Sequence, residues 1–225
     1  MISKFSEWAV AGVWNASAAD AQERERQRQE NLAIAVGLKQ QDAGLLDELI
    51  TRYQHRLLRY LLYLAGERNL AEDLFQEVWI RVLTRGGQFN GRARFDTWLF
   101  RIARNLFIDH RRKRTMVSLD ELLQGGADES SVPWEIADGD SIWSSGADGS
   151  GAAGPLQQLL VGEDRERVAE ALLALGSTYR EVLVLRFHEQ MSLEEIAQVT
   201  EAPLSTVKSR LYRGMAAMKP LLAER

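Results

Sequence analysis

The sequence predicts an all-α protein in which two small helical domains are joined by a flexible acidic linker. Apolar residues recur at three- and four-residue steps through residues 43–114 and again through residues 162–225, which is the spacing of amphipathic helices. Residues 115–161 between them are dominated by Gly, Ser, Ala and Asp and contain no Lys or Arg. Such a stretch buries too little apolar surface to offset its ordering entropy. The 225 residues are enough for two domains of this size.

Residues 1–42 are predicted to form an N-terminal extension, either of low order or as a single helix. They are polar and include a mixed-charge run at residues 23–28. A helix over Ala18–Leu38 fits the sequence, but its apolar stripe is thin. We therefore do not assign this segment to the first domain.

The first domain, residues 43–114, is predicted to be a three-helix bundle. One apolar stripe covers residues 45–64 and is followed by a break at residues 66–69. A second stripe covers residues 74–83 and ends at two glycines, and a third covers residues 95–106. Each of the first two helices is thus followed by a short connection.

The net charge of −4 does not exclude nucleic acid as a partner, because the charge is unevenly distributed. Residues 43–114 contain 14 Lys or Arg and 8 Asp or Glu, whereas residues 115–161 contain 8 acidic residues and no basic one. The acidic linker therefore conceals a basic domain. Trp134 and Trp143 are unexpected in a spacer, and two interpretations remain open: loose docking on a neighbouring domain, or contact with a partner.

The second domain, residues 162–225, contains a predicted helix-turn-helix. Ser192 is a suitable N-cap for a short helix, and Glu195 three residues later completes a capping box. A turn at residues 200–202 leads into a second helix that begins near Pro203, a residue tolerated in a first helical turn.

The outer face of that second helix carries hydroxyls and cations. Leu204, Val207 and Leu211 share the opposite face and are expected to pack inward. Short hydroxyl side chains with Lys and Arg suit a helix in the DNA major groove. The alternative is an ordinary amphipathic hairpin with a solvated basic face. The candidate DNA contacts are Ser205, Thr206, Lys208, Ser209, Arg210, Tyr212 and Arg213.

The third helix of the first domain and the loop before it interleave aromatic residues with arginines. Cations attract phosphates, aromatic rings stack on unpaired bases, and an amide such as that of Asn105 can bond the edge of an unstacked base. This combination favours single-stranded or melted DNA. In the alternative, Trp98 belongs mostly to the core and residues 111–114 are a solvated helix end. The candidates are Phe89, Asn90, Arg94, Trp98, Arg101, Arg104, Asn105, Arg111 and Arg112.

The second helix of the first domain has an acidic face. Asp73, Gln76 and Glu77 share one exposed side, with Trp79 near its edge. An acidic patch on a DNA-binding protein is more suited to another protein than to DNA. This face is therefore either a protein-docking surface or a solvated helix face.

Five segments of the chain carry recognisable motifs. They are Asp-Leu-Phe-Gln-Glu-Val-Trp at 73–79, Phe-Asp-Thr-Trp-Leu-Phe-Arg-Ile-Ala-Arg-Asn at 95–105, Tyr-Arg-Glu-Val-Leu at 179–183, Glu-Ile-Ala at 195–197 and Thr-Val-Lys-Ser-Arg-Leu at 206–211. In this order they resemble the motifs of RNA polymerase sigma factors of the sigma-70 family, in its extracytoplasmic-function (ECF) subfamily. The resemblance covers roughly residues 45–114 and 168–221.

The resemblance implies roles for both domains. In that family the helix at 95–105 melts promoter DNA and recognises the −10 element, so Asn105 and the loop 89–94 would hold a flipped base. Arg101, Arg104, Arg111 and Arg112 would lie along the DNA, and Lys208, Ser209, Tyr212 and Arg213 would face the −35 element.

The resemblance also implies partners. The face formed by Asp73, Gln76, Glu77 and Trp79 would bind core RNA polymerase, whose large β′ and β subunits are the expected partners. The DNA partner would be a promoter, both duplex and melted, and an anti-sigma factor is expected as inhibitor. The acidic linker would thread toward the active-site cleft of the polymerase.

Six residues at four places in the chain depart from the family's usual pattern. Gly176-Ser177 stands where Leu-Pro is usual, and Glu201 stands where glycine is frequent in the turn. Ser205 replaces a glycine that commonly precedes Thr-Val, and Gly214-Met215 replaces Ala-Arg. The last change removes a cation from the recognition helix and is expected to weaken phosphate contacts.

Other function classes are disfavoured. The chain has no cysteine, which excludes disulfides and thiolate metal sites and is compatible with a cytoplasmic location. Its three histidines are scattered, so we expect no metal, no cofactor and no enzymatic activity. No apolar run is long enough for membrane insertion. The remaining alternative is a stand-alone helix-turn-helix regulator that binds an operator, which would need neither the acidic face nor the arginine–aromatic helix.

Overall fold

Every element of regular structure is helical in the residues that the structure, a computed structural model, describes. These are residues 18–123 and 167–223, with side chains for residues 22–113 and 167–223. The all-α fold class predicted from the sequence is confirmed. The predictions for the acidic linker, Trp134 and Trp143 lie outside the described residues.

The first domain contains helices α1 to α4. They are α1 (Ala18–Gln40), α2 (Ala43–Ala65), α3 (Arg68–Arg85) and α4 (Phe95–Leu123). Asp42 caps α2, because its carboxylate accepts hydrogen bonds from the N–H groups of Gly44 and Leu45 at 2.9 and 3.2 Å. Helix α2 ends at Gly66, whose φ of 68° is the left-handed conformation that glycine adopts without strain.

The core of this domain is aromatic and lies between α2 and α4. Tyr60 and Phe100 are fully buried, and their rings meet edge to face with centroids 4.9 Å apart. Leu57, Leu61 and Leu99 fill the space around them. The apolar stripes at 45–64 and 95–106 thus meet each other, as their spacing predicts.

Helix α1 belongs to the same bundle, although its apolar stripe is thin. Ile34 and Leu38 are 4% and 7% exposed, and Leu38 lies beside the buried Gly86 at the end of α3. Glu30 forms an ion pair with Arg52 of α2. Buried Ile34, Leu38 and Asn31 therefore seat α1 in the bundle, and small Gly86 lets the helix approach closely.

Helix α4 continues beyond the domain boundary predicted at Arg114. It ends at Leu123, nine residues into the segment predicted as linker. The reason lies in the sequence: residues 115–123 contain neither glycine nor proline, and the first glycine after the helix is Gly125.

The second domain contains α5 (residues 167–174), α6 (Ser177–Leu183), α7 (Leu193–Thr200) and α8 (Leu204–Ala223). A π-helical turn, Val184–His188, extends α6. The predicted capping box of α7 is confirmed. Glu195 N–H donates to the Ser192 hydroxyl at 3.1 Å, and Ser192 N–H donates to the Glu195 carboxylate at 2.7 Å.

Helix α8 packs closely on α6 through Gly214. A β-carbon at this position would lie 3.2–3.3 Å from atoms of Leu183 and Tyr179. The glycine that replaces the family's usual alanine therefore allows a tighter crossing of the two helices. Buried Val207 and Leu211 complete the inner face of α8, as predicted.

The two domains pack against each other. Helix α4 contacts α7, and α2 contacts α6 and the π-helical turn. Arg180 of α6 is buried and donates hydrogen bonds to four carbonyls, three within its own domain (Leu172, Leu173 and Leu175) and one, Tyr63, at 2.9 Å in the first domain. Through these contacts the two domains, which carry the candidate DNA-binding helices α4 and α8, pack directly against each other.

Candidate nucleic-acid interface

The loop that precedes α4 is held in place by α1. The side-chain oxygen of Asn31, a residue 4% exposed, accepts a hydrogen bond from Phe95 N–H at 3.0 Å. This acceptor satisfies one of the free N–H groups at the start of α4. Gly91 has a φ of 71°, and a β-carbon there would lie 3.1 Å from the Asn31 carbonyl oxygen. Asn90 accepts from Arg92 N–H at 3.0 Å and closes the turn.

The aromatic residues of this loop and helix form one cluster. The ring of Phe89 lies 5.6 Å from that of Phe95 and 5.3 Å from that of Trp98, and Tyr53 contacts Phe95 at 5.4 Å. Phe89 and Phe95 are buried, whereas Trp98 is half-buried. Of the two aromatic candidates, Trp98 therefore retains accessible surface and Phe89 does not.

Three candidate arginines of the first domain form ion pairs with glutamates of the second. Arg104 pairs with Glu181 at 2.8 Å, Arg94 with Glu195 at 3.4 Å, and Arg101 with Glu201 at 3.4 Å. Arg94, in the loop before α4, also forms a bidentate pair with Asp96 in the first turn of that helix, at 3.1 and 2.7 Å. The structure thus brings predicted cations of α4 and of the loop before it together on the side that faces α6 and α7.

Glu181 is the most enclosed acid of these pairs. Its carboxylate accepts hydrogen bonds from Arg104 and from the hydroxyl of buried Tyr60, the latter at 3.1 Å. Burial raises the pKa of Glu181, and the positive charge of Arg104 opposes that rise. Burial and the carboxylate together raise the pKa of the Tyr60 hydroxyl, which favours its neutral, donating form.

The remaining candidates of α4 lie further along the helix. Asn105 is half-buried, and Arg112 is exposed. The guanidinium of Arg111 stands 5.8 Å from the ring centroid of Phe107, within the range of a cation–π contact.

The outer face of α8 is open. Tyr212, an aromatic residue on this face, is 61% exposed. The candidates Ser205, Lys208, Ser209 and Arg213 are also exposed, and Thr206 and Arg210 are half-buried. A groove of ≈ 550 Å³ runs between this face and the start of α6. The groove is lined by Gly176, Ser177, Thr178, Tyr179, Ser205, Thr206, Ser209, Arg210 and Arg213.

The acidic face of α3 is partly as predicted. Asp73 and Gln76 are exposed, and half-buried Glu77 receives a hydrogen bond from Arg81 at 3.3 Å. Trp79 is 6% exposed and packs on Phe75, so it belongs to the core and supports the face from behind. Its indole N–H has no hydrogen-bond partner among the described residues.

Two apolar residues extend this face, and the sequence reasoning missed them. Ile80 and Leu83 are 52% and 50% exposed. Ile80 follows Gln76 by four residues and Leu83 follows Ile80 by three, which are helical steps. Together with Asp73 and Gln76 they form a continuous stripe, which we call the α3 stripe. Exposed apolar side chains rimmed by acids are typical of a protein-docking surface.

Sequence reasoning also missed the interdomain partners of the candidate arginines. Arg56 of α2 pairs with Glu189 at 2.7 Å, and the Glu189 side chain is completely buried. The sequence could not identify Glu189 and Glu181 as partners, because each lies far from its arginine along the chain. For Glu181, membership of the Tyr-Arg-Glu motif was the one available signal.

The described residues contain no group of His, Cys, Asp and Glu able to hold a metal ion. Within the same parts of the chain, no helix is both long and apolar enough to cross a membrane.

Two family models match the chain, one in each domain. Residues 49–116 match Sigma-70 region 2, and residues 165–218 match Sigma-70 region 4. These matches fall on the two helical domains and leave most of the acidic linker uncovered.

Curated relatives match across both domains. The ECF RNA polymerase sigma factor SigX of Bacillus subtilis is 32% identical over 177 residues, which is 76% of this chain and 80% of SigX. The ECF sigma factor SigW of the same organism is 28% identical over 188 residues, or 83% of this chain and 94% of SigW. The RNA polymerase sigma-H factor of Pseudomonas aeruginosa is 29% identical over 83% of this chain and 93% of its own length.

Solved structures share the fold. The sigma factor RpoE of Bartonella quintana, solved with the anti-sigma factor NepR, superposes with a TM-score of 0.58 at 24% identity, over 80% of this chain and 98% of RpoE. CnrH, solved with the cytosolic domain of CnrY, gives a TM-score of 0.57 at 19% identity over 87% of this chain and 99% of the matched chain.

Proposed function

The chain belongs to the extracytoplasmic-function sigma factors of the sigma-70 family and acts in transcription initiation, and on that premise we propose that its two domains contact different parts of a promoter. The first domain binds core RNA polymerase and the melted −10 element. The second domain binds the −35 element as duplex. The observation that carries the proposal is that two different helices, each in its own domain, present cations. Helix α8 has an exposed basic face, and helix α4 combines arginines with half-buried Trp98.

The proposed −10 site is built on α4 and the loop before it. Trp98 offers the accessible part of an indole ring, and Asn105 offers an amide about two turns further along the helix, where Arg101 and Arg104 add positive charge. An aromatic platform, a base-edge partner and phosphate-binding cations are what capture of an unstacked base requires. Phe89 is buried, so its part is to support Trp98 from behind.

The proposed −35 site is the outer face of α8. Lys208 and Arg213 are exposed cations on one helix, and they flank the short hydroxyl of Ser209. A capped helix α7 crosses behind and holds α8 at a fixed angle, which is the arrangement of a helix-turn-helix. The groove beside Ser177 and Thr178 gives room for a phosphate backbone next to the recognition helix.

The α3 stripe is the proposed docking site for the large β′ subunit of the polymerase. Its acids and exposed apolar residues are unsuited to DNA and suited to a helical protein partner with basic and apolar side chains. The role of the chain requires binding surfaces only, so we propose that it contributes no catalytic group and acts in the cytoplasm with the polymerase.

An anti-sigma factor is a further proposed partner. RpoE, which shares this fold, was solved in complex with the anti-sigma factor NepR. The stand-alone regulator that binds an operator is not favoured, because the similarity to ECF sigma factors extends across both domains.

The experiment that tests the two-site proposal compares Asn105→Ala with Asn69→Ala. We expect Asn105→Ala to lower the extent of promoter melting, measured by permanganate reactivity of −10 thymines in the holoenzyme, because a base-edge partner is lost. Binding of the holoenzyme to a duplex carrying only the −35 element should persist. Asn69 is an exposed residue of α3 and serves as the matched control. Equal loss of melting and of −35 binding in Asn105→Ala would contradict the assignment.

A further inference from the structure

The groove between α6 and α8 has a lining without acids. Five of its nine lining residues carry an aliphatic hydroxyl, two carry a guanidinium group, and none of the nine carries a carboxylate. Residues 162–225 contain 10 Asp or Glu and 9 Lys or Arg, so an acid-free lining does not follow from the composition of the domain. Hydroxyl donors and cations gathered around one groove are suited to an anionic ligand.

The two arginines of the groove are available to such a ligand. Neither Arg210 nor Arg213 forms an ion pair with another described residue, whereas Arg104 of α4 does. Burial raises the pKa of Glu181, and the charge of Arg210 is among those that oppose the rise. The hydrogen bonds to the Glu181 carboxylate nevertheless come from Arg104 and Tyr60. The two groove arginines therefore need an anion from outside the described part of the chain.

Two of the groove hydroxyls depart from the family's usual pattern. Ser177 stands where proline is usual, and Ser205 stands where glycine commonly precedes Thr-Val. Neither proline nor glycine has a hydroxyl to donate. Ser177 lies on α6 and Ser205 on α8, and both line the groove. Met215, which stands where arginine is usual, is half-buried and packs against the core. This chain thus has two added hydroxyls in the groove and one cation fewer on α8.

From this arrangement we propose that Ser177 and Ser205 clamp one backbone phosphate of the −35 duplex from opposite walls of the groove, with Arg210 and Arg213 supplying the opposite charge. The proposal rests on the proposed function, because it takes α8 as the −35 helix. Each serine hydroxyl donates a hydrogen bond to a phosphate oxygen, and each guanidinium can donate two. The second domain then holds the DNA through α6 as well as α8.

The clamp divides the work within the −35 site. Contacts to phosphates fix the position and orientation of a protein on the duplex and carry no sequence information. Lys208 and Tyr212 are exposed on α8 and do not line the groove, which leaves them for the base edges. A neutral hydroxyl also releases no counterion when it meets a phosphate, so its contribution to affinity is insensitive to salt, unlike that of an arginine.

The test measures binding of the full chain to a fluorescein-labelled DNA duplex by fluorescence anisotropy over a range of salt concentrations. The duplex has a random sequence, since a phosphate contact does not depend on sequence. Ser177→Ala and Ser205→Ala, singly and together, remove the hydroxyls, and Ser177→Thr keeps one. Thr51→Ala removes an exposed hydroxyl of α2 and is the matched control. Both serines are exposed, and circular dichroism checks that each variant folds.

Each serine-to-alanine change is expected to weaken binding by about threefold, the effect of one lost hydrogen bond. The slope of log affinity against log salt concentration should stay the same, because no cation is removed. Ser177→Thr and Thr51→Ala should bind like the unmodified chain. The double variant should lose less than the product of the two single losses, because both hydroxyls serve one phosphate.

Three outcomes would overturn the clamp. The first is unchanged affinity in both single alanine variants, and the second is a loss in Ser177→Thr equal to that in Ser177→Ala. The third is a double variant that shows the full product of the single losses, which would place the hydroxyls on separate phosphates. In a further arm, inorganic phosphate is added at constant ionic strength. Displacement of the duplex by millimolar phosphate would make a soluble phosphate the ligand and would overturn the assignment to DNA.

Lys208→Ala separates failure of the clamp from failure of the proposed function. Lys208 lies on the outer face of α8 and outside the groove. If Lys208→Ala weakens duplex binding and the serine variants do not, the clamp is wrong and the proposed −35 face stands. If Lys208→Ala and the serine variants all bind like the unmodified chain, the proposed function of α8 fails as well.

Discussion

At the scale of single residues, the protein places its most specific hydrogen bonds where two segments distant in sequence have to meet. Asn31 in α1 completes the start of α4, and Arg180 in α6 gathers carbonyls from both domains. Neither residue is a candidate DNA contact. Each stabilises the position of side chains that are, because a buried polar group without its partner costs more than the bond contributes.

Asn31→Leu is expected to destabilise the chain and to disturb the −10 loop. Loss of the acceptor leaves Phe95 N–H buried without a partner, which costs about 1–3 kcal/mol of the free energy of unfolding. Asn31→Asp keeps an acceptor oxygen and should recover most of that stability. Urea denaturation followed by circular dichroism measures the difference. Equal destabilisation by both variants would show that the hydrogen bond is not what Asn31 contributes.

The same pair of variants separates positioning from simple stability. Promoter melting by the holoenzyme should fall for Asn31→Leu and return for Asn31→Asp, whereas binding to a −35-only duplex should stay close to that of the unmodified protein. If Asn31→Leu lowered promoter melting and −35 binding to the same extent, Asn31 would contribute to overall stability only and would not position the −10 loop.

At the scale of helices, the amphipathic spacing predicted most of the elements, and their cores follow it. The α2 and α4 stripes meet around Tyr60 and Phe100, and the capping box at Ser192 begins α7. What the spacing could not supply is which helices touch across the domains. The Arg104–Glu181 and Arg56–Glu189 pairs join residues far apart in the chain, and nothing local marks either glutamate as a partner.

The differences between prediction and structure have local causes. Residues 1–42 were predicted to form an extension of low order or a single helix, because two buried apolar residues, Ile34 and Leu38, make only a thin stripe, and the structure has helix α1 there. The linker was predicted from residue 115 because the composition changes there, whereas helix α4 runs to Leu123, since residues 115–123 contain neither glycine nor proline. Trp79 was expected on the docking face and is buried, since an aromatic residue at the edge of a stripe fits either environment.

Helix α8 gives a prediction about salt. Arg213→Ala should weaken binding to duplex DNA by a similar factor whatever the −35 sequence, because one phosphate contact is lost. The slope of log affinity against log salt concentration should become smaller in magnitude by about one. Lys219→Ala changes the same charge further along α8, at an exposed position outside the groove, and is the control. An unchanged slope for Arg213→Ala would argue against a phosphate contact.

The α3 stripe gives a prediction about the polymerase. Asp73→Lys should reduce affinity for core polymerase by at least about tenfold, or about 1.4 kcal/mol, since it reverses a charge within the docking face. Asp47→Lys makes the same change at an exposed position of α2 and should have little effect. Competition for core polymerase, monitored by fluorescence anisotropy, measures both. Equal effects of the two changes would place the docking site elsewhere.

At the scale of the whole molecule, the distribution of charge explains the arrangement. The first domain is basic, and two of its arginines, Arg56 and Arg104, pair with buried glutamates of the second domain. The acidic residues of the chain are concentrated in residues 115–161, so the negative total charge does not oppose DNA binding by either domain.

The most direct test of the central claim is transcription from genomic fragments of the source organism by purified core polymerase, with and without the chain, followed by mapping of the RNA 5′ ends. The account predicts 5′ ends that appear only with the chain, share two upstream elements at −10 and −35, and vanish with Asp73→Lys. No chain-dependent 5′ ends, together with tight binding of the chain alone to a palindromic duplex, would contradict it and identify an operator-binding regulator instead.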